Sequence, residues 1–341
     1  MSSAPTNAVV QLVGGTRVVA VIDRNIKGDK GEPGPASSLG LLGDGSDGAA
    51  DITSNTTLTR PMNYTTLRVR SGATLFTAGN NIYCTGQLTI DNGAVLESSG
   101  STSRNGGNAS GATPGVPAAP EQFGNDTQSR GSAGGPGAIS GAGTNGSAVS
   151  VSSASAAIAG GVGGSGGVGI SGTAGVGGTI GLTNNRFCRV VSDRVQLGMI
   201  GTTPVVLSAG QGGSGGGGGT GNFAQSGGGG GAGGNGGRFM FIAANSIINS
   251  GTINNRGGNG GAGGAGNIAG GCGGGGGGGG GCGGIVMLAY SSFFTGNAPD
   301  VSGGAGGAGG AGVSANTNST AGAPGSNGFV LKLNLATGVY E

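Results

Sequence analysis

The side chains that could do chemistry in this chain are few, and the shortest list is the most decisive. There is no histidine among the 341 residues, which removes every Ser-His-Asp and Cys-His arrangement. A lysine nucleophile would have to be Lys27, Lys30 or Lys332, each in a structural setting. A two-carboxylate glycosidase needs two acids across a sugar bond, about 5–9.5 Å apart. Asp91 and Glu97 are the candidates, but Asp91 belongs to an Asp-Asn-Gly turn and Glu97 ends a predicted strand. Cys84, Cys188, Cys272 and Cys282 show no metal-ligand spacing, and without histidine a zinc site would need thiolates alone. They read as buried, inert thiols of a reducing compartment. A Cys272–Cys282 disulfide across the intervening glycine run is conceivable but has no support in the spacing. Asp44, Asp47 and Asp51 do not follow the order of an EF-hand loop, and Asp-Gly turn chemistry accounts for them. The glycine runs lack the Lys-Ser/Thr and the helix of a phosphate-binding loop. The chain therefore reads as non-enzymatic, with no cofactor and no metal.

Recognition needs different residues. Aromatic and arginine side chains dominate binding hot spots, and aromatic rings stack on sugars. Against a glycine background the residues that stand out are Arg186, Phe187, Arg189, Phe223, Tyr290, Phe293, Phe294 and Asn297. Each also has an ordinary reading, Phe293 and Phe294 as caps on a strand core and Arg186 as a solvated loop residue.

The elements that must hold these residues are unusual. Between about Gly210 and Gly312 short apolar runs alternate with tracts of Gly, Ala, Asn and Ser. In Gly257–Gly266 the exceptions to glycine fall at Asn259, Ala262 and Ala265, and in Gly303–Gly312 at Ala305, Ala308 and Ala311. That is a period of three, the periodicity of a polyproline-II-type helix with one small-residue edge and two bare ones. Bare edges let backbones approach and satisfy one another's N–H and C=O groups. The runs 238–244 and 285–290 read as strands, and 328–335 as a closing strand. Gly236-Gly237 precedes the first run as Gly283-Gly284 precedes the second, and Gly257 corresponds to Gly303, so a unit of 46 or 47 residues recurs. A recurring strand plus tract predicts a stacked architecture rather than a tether.

Composition agrees. Gly supplies 91 residues, while 8% are charged and 4% aromatic, too few large apolar side chains for one conventional core. A net charge of +2 with scattered arginines excludes nucleic acid as a partner. No stretch reaches the eighteen apolar residues of a membrane span, and the N-terminus lacks the pattern of a secretory signal.

In chain order, residues 1–26 predict an attachment hairpin, with strands at 9–13 and 17–22 around Gly14-Gly15. Residues 27–40 hold three Gly-X-Y triplets, with Gly28, Lys30, Gly31, Glu32, Pro33 and Gly34 placed as in a collagen-type trimer. From 41 to 100 polar and β-branched residues alternate, and Ser71-Gly-Ala-Thr-Leu75 recurs as Asn92-Gly-Ala-Val-Leu96 at an offset of 21, a rung length for a β-solenoid. Residues 101–341 form the glycine-rich segment, with few anchors before 180 and a strand-like run at 194–200.

The run from Gly43 to Gly100 resembles the segment that opens many bacteriophage tail-fibre and minor tail proteins. The strand-plus-glycine repeats resemble the polyglycine-II sandwich of fibre-tip adhesins, and GDKGEPGPA resembles the collagen-like inserts of phage fibres. The resemblance implies an all-β, fibrous, repeat-built virion protein, homotrimeric, assembled in the host cytoplasm. Its partners would be other tail or capsid proteins, through the N-terminus, and a host-surface glycan or outer-membrane protein. The alternatives are a purely structural decoration fibre and a tailspike-type glycosidase.

Overall fold

The computed structural model describes residues 41–100, 105–108, 116, 131–139, 141–151, 160–168, 173–178, 180–182, 216, 218–220, 226–267, 271–312 and 319–341. The predicted hairpin at 1–26, the collagen-like triplets with Gly28, Lys30, Gly31, Glu32, Pro33 and Gly34, and the strand at 194–200 lie outside the described residues. Among those described the protein is all-β, with no helix.

Two sheets run side by side, and the chain passes repeatedly between them. The long sheet contains β1 (Ala49–Ile52), β3 (Met62–Tyr64), β4 (Thr66–Val69), β6 (Ile82–Ile90), β10 (Phe239–Asn249), β12 (Ile285–Gly296), β13 (Phe329–Asn334) and β14 (Val339–Tyr340). The short sheet contains β2 (Thr56–Thr57), β5 (Thr74–Phe76), β7 (Val95–Glu97) and β11 (Thr252–Asn254). A separate pair joins β8 (Val149–Val151) to β9 (Ile180–Leu182). Every pairing is parallel except the last, in which β14 folds back antiparallel on β13. A parallel neighbour needs a crossover; β4 reaches β6, and β10 reaches β12, by way of a short-sheet strand, whereas no short-sheet strand intervenes between β12 and β13.

Register stacks like on like. Leu67 pairs with Leu88, Leu88 with Ile247, and Ile247 with Phe294. Across the interior, Leu75 pairs with Leu96 and Leu96 with Ile253. These columns face each other in a buried core that also takes in Val69, Ile82, Ile90, Ile242 and Leu288. Burying each such side chain stabilises the fold by about 1.5–3 kcal/mol. The offset of 21 read from the sequence is the spacing of this stack, since Thr74 pairs with Val95 and Gly72 N–H donates to Gly93 O at 3.0 Å. The 46/47 unit is likewise present: Phe239 pairs with Ile285, and beyond an irregularity after Ala244 the partner of Ser246 is Phe293. Because β6 pairs with β10, the segments read separately as 41–100 and 101–341 share one sheet.

A second apolar cluster covers the outer face of the long sheet, where Phe239, Phe241, Ile285, Met287 and Leu333 meet Leu41 and Leu42. Asn255 ties adjacent turns together. Its side chain donates to Arg238 O at 2.6 Å and Ile285 O at 3.1 Å, and accepts from Arg238 N at 2.8 Å.

The glycine tracts leave this stack and return to it. Residues 257–267 run out and 271–284 run back; 303–312 run out and 319–328 run back. They are joined by backbone hydrogen bonds at every third residue. Gly257, Gly260, Gly263 and Gly266 donate to Ser302, Ala305, Ala308 and Ala311. Gly275, Gly278 and Gly281 donate to Gly264, Gly261 and Gly258 in the opposite sense. The tract 271–284 lies at the centre, bonded also to 226–237, 303–312, 319–328 and 160–168, and to Thr220.

This position explains the nine-glycine run 273–281. Contacts of this run repeat at every third residue, so it presents three edges, and each is faced by a neighbour's backbone. A Cβ on Gly273, Gly276 or Gly279 would meet the carbonyls of Gly167, Gly164 and Gly161. On Gly274, Gly277 or Gly280 it would meet those of Gly310, Gly307 and Gly304; on Gly275, Gly278 or Gly281, those of Gly229, Ala232 and Asn235. Only the outer tracts have a free edge, and there Ala305, Ala308 and Ala311 are exposed. Amides on such edges take side-chain acceptors instead: Asn105, Asn108 and Asn259 accept from Ala262, Ala265 and Ala305 at 2.8–2.9 Å.

Candidate functional site

Two regions could recognise a ligand. The first is the far end of the tracts. Asn267 N–H donates to Ser226 O, Gly273 to Thr220 O, Thr220 to Gly167 O, and Gly266 to Ala311 O. Residues 167, 220, 226, 267, 273 and 311 therefore gather at one end of the bundle, away from the strand stack. Thr220 and Ser226 flank Phe223, which itself lies outside the described residues, as do Arg186, Phe187 and Arg189.

The other candidates belong to the strand stack. Tyr290 is 3% exposed, and its hydroxyl donates to Glu341 Oε2 at 2.6 Å. Burial and that carboxylate push its phenol up to about 12. Such a ring has no free face for a receptor. Phe294 is half-buried at the end of the Leu67–Leu88–Ile247 column, 6.3 Å from the Tyr290 ring, with Lys332 Nζ 4.4 Å from its centroid. Phe293, next in sequence, points the other way and is 43% exposed. Asn297 stitches turns together: it donates to Gly251 O at 2.8 Å and Ser250 O at 3.2 Å, while its own carbonyl accepts from Asn249 at 2.8 Å. Of the four described candidates only Phe293 presents a large exposed side chain.

The carboxylates weighed for catalysis are both engaged. Asp91 pairs with Arg68 Nε at 3.0 Å. Glu97 accepts from Ser99 N–H at 2.7 Å and from the Asn254 amide at 3.1 Å. Other acids are similarly held by neighbouring turns. Arg60, then the Asn63 amide, keep Asp47 below the usual carboxylate range, and Arg70 does the same for Asp51. Cys84, Cys272 and Cys282 are buried and belong to no disulfide, so no bond joins Cys272 to Cys282. No group of three or more Cys, Asp or Glu with metal-binding geometry occurs among the described residues.

The second region is a cleft of about 510 Å³ where the short sheet meets the first tract. Register builds its floor, since Thr57 pairs with Phe76 and Phe76 with Glu97. Arg238 and Arg256, which follow and precede glycine tracts, close it from the other side. Phe76 is 37% exposed, Arg256 is half-exposed, and Arg238 is buried. At the rim Ala78 has φ 51°, a left-handed conformation that a non-glycine residue adopts at a cost. Composition hid this site, because its residues come from four turns and 199 positions of sequence separate Thr57 from Arg256. The legible signal was the 21-residue repeat, which places Phe76 over Glu97. Comparison with known proteins finds no matching family, no matching curated protein and no matching solved structure.

Proposed function

We propose that this chain is a non-enzymatic bacteriophage virion protein, a fibre or fibre-tip adhesin whose loops bind a host-surface receptor. In this reading the strand stack is a β-solenoid and the tracts are polyglycine-II helices. The N-terminal hairpin attaches the chain to other tail or capsid proteins, and the Gly-X-Y triplets bring three copies together.

The observation that carries the proposal is the convergence of tract ends at residues 167, 220, 226, 267, 273 and 311. A lattice of backbone hydrogen bonds has no side chains to spend on recognition. What it offers is rigidity, because each tract is fixed by several neighbours at every third residue. Loops that connect such elements tolerate sequence change better than the elements they join. That division suits a receptor-binding tip.

The test is saturable binding of labelled full-length protein to cells of candidate bacterial hosts, competed by unlabelled protein, beside its native mass. Replacing residues 221–225, including Phe223, by a Gly/Ser linker of equal length is expected to abolish binding and leave the melting transition in place. Binding to no strain that the parent particle infects would favour a structural decoration fibre. A native mass of one chain would leave the adhesin and remove the trimer.

A further inference from the structure

The cleft lined by Phe76, Glu97, Ser98, Arg238 and Arg256 lies at the base of the tracts, opposite the end at which the adhesin reading places the receptor. Its charge is biased. Glu97 contributes one negative charge and the two arginines two positive ones. Both Glu97 oxygens already accept hydrogen bonds, from Ser99 and Asn254, so this carboxylate is committed to holding adjacent turns together. Arg256 is less committed. Its Nε lies 3.7 Å from Asp300 Oδ2, beyond hydrogen-bond length, and both side chains are about half-exposed. Its backbone is what is fixed, the N–H on Ser99 Oγ at 2.9 Å and the carbonyl accepting from Gly100 N–H at 2.7 Å. A guanidinium in that state can turn to a bidentate carboxylate without losing a good partner.

Three further observations point to a ligand. The exposed ring of Phe76 supplies a flat apolar platform within the column Thr57–Phe76–Glu97. Ser98 is 4% exposed and its Oγ has no hydrogen-bond partner; a buried hydroxyl left so is costly unless something satisfies it. Ala78, at the rim, holds a strained backbone conformation of the kind that gathers at ligand clamps. Aromatic face, hydroxyl and guanidinium together match one ligand chemistry: a ring with an apolar face, hydroxyl groups and a carboxylate.

We propose that this cleft binds a carboxylate-bearing sugar residue, stacked on Phe76 with its acid group on Arg256. The cavity has room for one or two such residues, within the size range of small-molecule sites. The site is separate from the far-end loops and does not depend on them.

The experiment is saturation-transfer NMR and calorimetry on the full-length protein with trigalacturonate. Maltotriose is the neutral control and tetraglutamate the acidic, non-sugar control. Trigalacturonate is expected to bind and maltotriose not to. Arg256→Gln is expected to weaken binding by about tenfold or more, as loss of a charge-assisted pair does. Phe76→Ala should weaken it comparably, and both variants should melt as the parent does. Equal binding of trigalacturonate by the parent and both variants overturns the proposal, as does no binding of trigalacturonate at all. Binding of tetraglutamate in preference to the sugar overturns the ligand class. If cells are bound while trigalacturonate is not, only the cleft assignment fails and the adhesin reading stands.

Discussion

Gly278→Ala tests the tract lattice at its centre. In an ordinary unstrained position the change stabilises a protein by about 0.4–1 kcal/mol, because alanine restricts the unfolded chain. Here the added Cβ falls inside the Ala232 carbonyl and 2.9 Å from Gly233 N. The obstacle is backbone, so no rotamer relieves it. Normal carbon contact is about 3.5–4.0 Å, so the tracts 271–284 and 226–237 must part by roughly 1 Å or more. Overpacking of this kind costs about 1–3 kcal/mol. The separation also stretches Gly231 N–H to Gly276 O and Gly234 N–H to Gly279 O, now 2.9 and 2.8 Å. At about 1 kcal/mol each, their loss brings the total to about 3–5 kcal/mol, or about 2–4 after the unfolded-state gain. Ala308→Ser, on the exposed edge of an outer tract, is the control and should change stability by no more than about 0.5 kcal/mol. Guanidinium unfolding followed by circular dichroism reads both. A Gly278→Ala midpoint equal to or above the parent's would refute the three-edge account of the glycine run.

Three other outcomes follow from the same contacts. Asn255→Ala removes three buried hydrogen bonds, to Arg238 N–H, Arg238 O and Ile285 O, of which Arg238 O keeps the Ile285 N–H at 3.0 Å; a loss of about 3 kcal/mol in the same unfolding assay is expected. The Tyr290 phenol is raised from 10.0 to about 12 in the fold, so the folded protein holds a proton that the unfolded chain releases. That contribution is complete below pH 10 and disappears as pH rises from 10 towards 12, and Tyr290→Phe should remove this part of the alkaline slope in thermal melts. Finally, Cys84, Cys272 and Cys282 are buried, so an aromatic disulfide reagent should titrate at most one thiol rapidly in the native protein and four in denaturant.

The architecture was legible where it repeats. The period of three in 257–266 and 303–312 marked outer tracts, because an exposed edge tolerates Ala305, Ala308 and Ala311. The 21-residue echo marked turns of the strand stack, because Leu75 and Leu96 must bury in the same column. What stayed hidden depends on contacts that sequence spacing does not encode. Residues 160–168 carry few anchors in the sequence, yet Gly161, Gly164 and Gly167 donate to the central tract. Tyr290 stood out as an aromatic beside exposed positions, but the parity of β12 turns it inward, onto Glu341. Asn297 looked like a polar loop residue, and its amide instead bonds the preceding turn. The cleft escaped notice because it needs Phe76 and Arg256 from distant parts of the chain.

The step of three has a consequence for how such a protein can change length. Each outgoing tract meets any one neighbour only at every third residue, as Gly257, Gly260, Gly263 and Gly266 meet the tract 303–312. Adding one or two residues to a tract rotates everything beyond it onto the wrong edge, placing an alanine against a carbonyl. Adding three restores every contact and, on the proposed polyglycine-II reading, extends the tract by about 9 Å, at about 3.1 Å per residue. Paired insertions of one triplet, outgoing and returning, would move the far end outward like a telescoping mast, without a new side chain and without touching the strand stack. Reach is thus adjustable in discrete increments, independently of the sequence carried at the tip.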